Sequence, residues 1–127
     1  MNKDIEQLSY QVVGAAIEVH KALGPGLLER IYQECLAYEL KLSGHKVDLE
    51  TQLPVRYKKI EFNSAYRLDL LVNEVLVIEV KAIEKVLPLH KAQLLSYLKL
   101  SELKLGLLIN FNVPQLKYGI KRIINDL

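Results

Sequence analysis

The chain has 127 residues, of which 50% are hydrophobic and 25% charged, and its net charge is +2. This balance excludes wholesale disorder, and the length fits one domain over residues 1–127. The charge is too small to indicate a nucleic-acid binder by itself. We expect no signal peptide, no membrane helix and, with Cys35 as the one cysteine, no intrachain disulfide; these expectations favour a cytoplasmic protein.

Hydrophobic periodicity predicts two helices in the first third of the chain. Apolar residues recur at helical spacing from Ile5 to Val19, which predicts a helix over about residues 4–22. Gly24-Pro25-Gly26 then breaks the chain. A second helix is predicted over about residues 27–42, with Gly44 just beyond its end.

The middle of the chain predicts three antiparallel strands. Alternating residues from 46 to 57 predict an edge strand interrupted at Pro54, and Asn63-Ser64-Ala65 occupies the expected turn before the next strand. Two short strands are predicted at residues 66–72 and 75–81, joined at Asn73-Glu74.

The last third predicts a helix, a strand and a tail. The helix begins near Pro88 and runs to about residue 100, a buried strand covers residues 106–111, and residues 115–126 form an irregular or helical tail. A helix between the third and fourth strands allows a parallel crossover. The predicted fold is therefore α/β, with a mixed four-stranded sheet and the order α-α-β-β-β-α-β.

The register of the two central strands decides where their acidic residues lie. A two-residue turn at Asn73-Glu74 would place carboxylates in both apolar rows. One additional residue in the connection pairs Asp69 with Glu79 and keeps the apolar residues together, and burial of one face is what specifies register. We therefore expect a three-residue connection or a bulge. Four residues should then share one buried face: Leu68, Leu70, Ile78 and Val80.

Two carboxylates directly opposite each other repel unless a cation joins them. An all-oxygen site suits Mg²⁺ or Mn²⁺, which keep several waters and commonly bridge to substrate phosphate. Lys81 would then orient a water or stabilise developing negative charge. The same spacing also fits a surface ladder in which Arg67 and Lys81 neutralise Asp69 and Glu79. Spacing alone leaves both interpretations open.

Two motifs add a resemblance to a known family. Asp69, followed ten residues later by Glu79-Val80-Lys81, resembles the signature of the PD-(D/E)xK nuclease superfamily. Upstream, Gly26-Leu27-Leu28-Glu29-Arg30-Ile31-Tyr32 resembles the G-x-x-E-x-x-Y pattern of the GxxExxY family, small proteins assigned to that superfamily. Segments at residues 19–26, 90–99 and 106–111 are also similar to that family.

The resemblance implies a restriction-endonuclease-like core and metal-dependent hydrolysis of nucleic-acid phosphodiesters, with DNA favoured over RNA. It implies Mg²⁺ or Mn²⁺ as the cofactor. The implied metal ligands are Asp69, Glu79, Glu29 and Val80. The implied catalytic residues are Lys81, Gln93 and Glu29, of which Glu29 would otherwise be an ordinary acidic residue at a helix start.

Four other residues are candidates for supporting the site: His20, Tyr32, His90 and Tyr97. His20 and Tyr32 are each also explained as packing residues. His90, Gln93 and Tyr97 share one helix face, which lines a cleft or is simply solvated.

An alternative function is a nucleic-acid or protein binding module that keeps the nuclease fold without turnover. A third interpretation is a structural domain with a salt-bridged sheet edge. In that case the match of Glu29 and Gln93 to the family's site residues would be a coincidence. Because the chain leaves little room for a separate recognition domain, a homodimer or a partner protein would provide targeting.

Overall fold

The computed structural model describes residues 1–126, which form three α-helices and a five-stranded sheet. The helices are α1 (Lys3–Leu23), α2 (Glu29–Leu42) and α3 (Pro88–Ser101). The strands are β1 (Val47–Tyr57), β2 (Ile60–Val72), β3 (Leu76–Lys81), β4 (Leu105–Asn110) and β5 (Ile120–Ile124). A short 3₁₀-helix, Leu116–Gly119, precedes β5. Among these described residues, no helix has the length and apolar character needed to cross a bilayer.

The strands lie in the order β1-β2-β3-β4-β5. β3 and β4 are parallel and are connected through α3, whereas the other neighbouring strands are antiparallel. The predicted α/β class, with a mixed sheet and a parallel crossover, is therefore confirmed. The sheet has one strand more than the four predicted, because β5 pairs with β4 along the edge of the sheet. No residue of β5 is fully buried, so its sequence lacks the apolar pattern that reveals a strand.

Apolar layers cover both faces of the sheet. α1 and α2 pack on one face in a core that includes Val12, Leu36 and Ile78. α3 packs on the other face, where Leu94 and Leu98 contribute to a smaller core. β3 and β4 are therefore buried on both faces, as is usual for parallel strands covered by helices.

The connection between β2 and β3 has the predicted three residues, because Val72 pairs with Leu76. Leu70 pairs with Ile78 in the same register, which confirms the register chosen from apolar burial. Asn73 and Glu74 both adopt left-handed backbone conformations, with φ of 51° and 61°, which lets this short connection close.

One part of the register prediction is wrong. Leu70, Ile78 and Val80 lie in the core with α1 and α2 as expected, but Leu68 packs in the opposite core with α3. The alternation of side chains is interrupted at Asp69, where the pairing of β2 with β3 ends.

β1 and β2 continue beyond the rest of the sheet as a two-stranded hairpin, and we call its outer part, residues 54–67, the hairpin arm. All of its residues are exposed except the half-buried Val55. The turn lies at Lys58-Lys59, so the turn predicted at residues 63–65 is wrong. Those residues instead lie within β2, where the pairing register shifts opposite Pro54, a residue that has no N–H to donate to a ladder.

Candidate functional site

Asp69 and Glu79 form a reciprocal pair where the pairing of β2 with β3 ends. The backbone N–H of Asp69 donates to Glu79 Oε2 at 3.1 Å, and the backbone N–H of Val80 donates to Asp69 Oδ2 at 2.9 Å. Carboxylates thus take the place of carbonyl groups as acceptors between these strands. The expected proximity of the two acids is confirmed, and it follows from the three-residue connection.

The environment of Glu79 disfavours the ionised form of its carboxyl group. The residue is only 6% exposed, and its burial, together with the charge of Asp69, raises the pKa of its carboxyl group to about 9. Lys81 and the Asp69 N–H act in the opposite direction but only partly offset these effects. A cation beside the two acids would remove the cause of their repulsion.

Glu29, the first residue of α2, reaches the same sheet edge. Burial is the largest cause that raises the pKa of its carboxyl group, and the charge of Asp69 adds to it. The Lys81 ammonium and a backbone hydrogen bond from Ala82 lower that pKa. These interactions bring the start of α2 over the end of β3, although α2 and β3 are far apart in sequence.

Lys81 ends β3 and is half-buried. Its backbone is fixed by β4, because its carbonyl oxygen accepts from the Phe111 N–H at 2.9 Å. The chain just beyond it is held by the buried Asn110, whose side chain accepts from the Ile83 N–H at 3.1 Å and donates to the Ile83 carbonyl at 2.9 Å. The segment that carries the lysine is therefore rigidly attached to the central strands.

Two residues near these acids were missed from the sequence. Gln33 is 6% exposed, and its side-chain amide donates to Glu50 Oε1 at 3.0 Å and to the Asp69 carbonyl at 3.3 Å. Glu50 lies in β1 between the residues that pair with Leu68 and Leu70, in a left-handed conformation with φ of 54°. The available signal for Gln33 was its position four residues after Glu29, on the same helix face.

The predicted residues of α3 differ in their relation to the acids. Tyr97 is 7% exposed, and burial, followed by the charges of Glu79 and Asp69, raises the pKa of its hydroxyl group. Gln93 is exposed one helical turn earlier, and within residues 1–126 no hydrogen bond joins its side chain to these acids. His90 accepts at Nδ1 from the Leu87 N–H at 2.9 Å and so caps its own helix.

His20 and Tyr32 hold structural contacts behind the site. His20 Nε2 lies 2.8 Å from the Val113 carbonyl oxygen and ties α1 to the chain after β4. The Tyr32 hydroxyl donates to the Gly24 carbonyl at 2.5 Å and accepts from the Leu27 N–H at 3.0 Å, which fixes the chain that leads into α2. His20 therefore stabilises the position of α1, and Tyr32 stabilises the loop before α2.

The donor set fits a hard divalent cation that keeps part of its water shell. Mg²⁺ is commonly held by one or two carboxylates, with water and substrate phosphate as the other ligands. Among residues 1–126, no three His, Cys, Asp or Glu side chains are arranged to hold a metal unaided. Asp69 and Glu79 supply two carboxylates, and Glu29 lies near them. Val80 has a buried apolar side chain, so its backbone carbonyl is its available donor.

The mixed sheet and the paired acids at the end of its central strands define an α/β protein of restriction-endonuclease-like architecture. A family model described as the PD-(D/E)XK nuclease superfamily matches residues 6–123. The chain therefore belongs to the PD-(D/E)XK nuclease superfamily. No curated protein and no solved structure gives a significant match to it. Membership of the GxxExxY family within this superfamily stays a prediction.

Proposed function

We propose that the protein is a Mg²⁺- or Mn²⁺-dependent nuclease that hydrolyses phosphodiester bonds in nucleic acid, with DNA the expected substrate. The observation that carries the proposal is the Asp69–Glu79 pair, held by hydrogen bonds of 3.1 and 2.9 Å, with Lys81 two residues further along β3. Membership of the nuclease superfamily supports it.

Asp69 and Glu79 would hold the divalent ion, with Glu29 and the Val80 carbonyl as further oxygen donors. The bound ion would polarise a phosphate oxygen and lower the pKa of a water molecule. The buried position of Glu79 suits this role, because a carboxylate removed from bulk water binds a cation with less screening of their attraction.

Lys81 would act on the phosphate and the attacking water. Its positive charge lowers the pKa of both Glu29 and Glu79, which supports a place for its ammonium near the bound ion. In the proposed reaction a water molecule would lose one proton to solvent as its oxygen attacks phosphorus, the bond to the leaving sugar oxygen would break, and that oxygen would take up a proton from solvent. The ammonium would orient the water and stabilise the negative charge that develops on the phosphate.

The two residues missed from the sequence would keep these groups in place. Gln33 connects α2 to the backbone of Asp69 and to Glu50, so it fixes the helix that carries Glu29 against the strand that carries Asp69. Gln93 and Tyr97 would line the side of the cleft formed by α3.

The test is a cleavage assay on single- and double-stranded DNA and RNA with each metal at low salt. We expect the wild type to cleave at least one substrate. Lys81→Ala should lose turnover but retain Mn²⁺ binding in calorimetry, because lysine is not a ligand. Glu79→Ala should lose both. Lys21→Ala and Glu34→Ala, which alter exposed residues outside the site, should behave as the wild type.

Two outcomes would contradict the proposal. Cleavage that persists in both Lys81→Ala and Glu79→Ala would show that another nuclease contaminates the sample. Tight nucleic-acid binding without cleavage of any substrate would favour the non-catalytic binding module.

A further inference from the structure

The hairpin arm presents an unusual apolar surface to solvent. Tyr57, Ile60, Phe62 and Tyr66 are 62%, 55%, 51% and 46% exposed. Tyr57 pairs with Ile60 across the two strands, and Val55 pairs with Phe62. Residues paired in this way point to the same face of a sheet, so these four side chains lie together, and Tyr66 follows them beyond the register shift opposite Pro54. We call these five side chains the aromatic strip.

The edges and the tip of the arm are basic. Four cations lie within residues 54–67, against the single acid Glu61. Lys58 and Lys59 form the turn, and Arg56 pairs with Glu61 on the face opposite the strip. Arg67 lies near the base of the arm. The arm therefore carries a net positive charge, which favours an anionic partner.

The strip leads towards the candidate active site. Leu53, which pairs with Tyr66, belongs to the core beside α3, so the base of the strip lies on the α3 face of the sheet. The Tyr66 ring lies 5.4 Å from the Tyr97 ring, centroid to centroid, and Tyr97 is the residue of α3 that lies near Asp69 and Glu79. Tyr66, at the base of the arm, and Tyr97 therefore lie between the arm and the two carboxylates.

We infer that the hairpin arm binds a single-stranded segment of nucleic acid and guides it to the Asp69–Glu79 site. Bases stack on the aromatic strip, and phosphates contact the surrounding lysines and arginines. This inference rests on the proposed function, because the bound strand is the nuclease's substrate.

A single strand fits the arm better than a duplex. Exposed aromatic rings bind the faces of unpaired bases, whereas bases in a duplex are already stacked on one another. Reading a duplex through its major groove requires polar side chains directed at base edges, and the strip is apolar. In a symmetric dimer through the arm, two segments that each carry four cations and one acid would face each other and repel.

The test measures binding of labelled single-stranded DNA, single-stranded RNA and duplex DNA by fluorescence anisotropy in EDTA, so that no metal-dependent cleavage occurs. We expect the wild type to bind at least one of the two single strands more tightly than the duplex. Comparison of the single-stranded DNA with the single-stranded RNA shows which nucleic acid the arm prefers. Tyr57→Ala/Phe62→Ala should weaken this binding by about 30-fold or more, because each stacked base contributes roughly 5- to 150-fold.

Matched variants separate stacking from an effect on folding. Tyr57→Phe/Phe62→Tyr keeps both rings and should retain binding. Tyr10→Ala/Tyr38→Ala removes two rings of similar exposure, 70% and 63%, from the helices, and should bind as the wild type. Lys58→Gln/Lys59→Gln should lower the slope of log K against log salt by about 1.4, the value for two phosphate contacts on a single strand.

The results distinguish the arm from the catalytic proposal. Unchanged binding by Tyr57→Ala/Phe62→Ala overturns the inference and leaves the proposed nuclease activity intact. A wild type that binds no single strand but forms a dimer disrupted by this variant also overturns it, in favour of a second copy of the chain. Arm-dependent binding without cleavage in Mg²⁺ or Mn²⁺ supports single-strand binding by the arm, but it refutes the nuclease proposal and with it the guiding of a substrate to the two acids.

Discussion

Glu79→Gln should stabilise the metal-free protein at neutral pH. The folded protein raises the pKa of this carboxyl group to about 9, against 4.5 for the unperturbed group. Between these values the folded chain holds a proton that the unfolded chain releases, so the free energy of unfolding falls as pH rises. Glutamine resembles the protonated acid in shape, and its side-chain oxygen still accepts from the Asp69 N–H.

The size of the effect follows from the pH interval. Each pH unit above the pKa of the unfolded state lowers the free energy of unfolding by at most about 1.4 kcal/mol. The free energy of unfolding of the wild type therefore falls by up to about 3 kcal/mol between pH 4.5 and pH 7. The variant does not carry this loss. For a domain of this size the gain corresponds to a melting temperature about 10 °C higher at pH 7.

The assay is urea unfolding of both proteins in EDTA, from pH 4.5 to pH 8. The stability difference should be small at the acidic end and should grow as pH rises. Adding Mn²⁺ should stabilise the wild type and leave Glu79→Gln nearly unchanged, because a ligand that binds the folded state raises its stability. Glu34→Gln, an exposed substitution, should show neither effect. A difference between Glu79→Gln and wild type that is independent of pH would refute the reasoning.

Three further variants test the surroundings of the pair. Glu29→Gln should weaken Mn²⁺ binding in calorimetry. Its free energy of unfolding should change by no more than about 1 kcal/mol, which is the stabilisation that an acidic side chain provides at a helix N-terminus. Gln33→Leu should destabilise the fold by about 1–3 kcal/mol in urea, because Glu50 and the Asp69 carbonyl lose a donor. Tyr32→Phe should cost about 1–2 kcal/mol of stability yet leave the Mn²⁺ affinity unchanged, since its hydroxyl bonds lie outside the site.

The sequence by itself determined the helices, the central strands and the pairing of the two acids. Helical periodicity and strand alternation are local properties, so they are readable without the fold. The proximity of Asp69 and Glu79 was also readable, because only one register collects the alternate apolar residues of both strands on one face. Leu68 was counted with that face, but it packs in the opposite core.

Tertiary structure alone decided which other residues meet these acids. Gln33 reaches the Asp69 backbone across 36 positions of sequence, and that contact depends on how α2 packs against the sheet. The face on which Leu68 lies depends on the residue at which the pairing of β2 with β3 ends. β5 forms because its backbone pairs with the free edge of β4. Each of these features arises from contacts between elements distant in the chain, and a local pattern does not specify which distant elements meet.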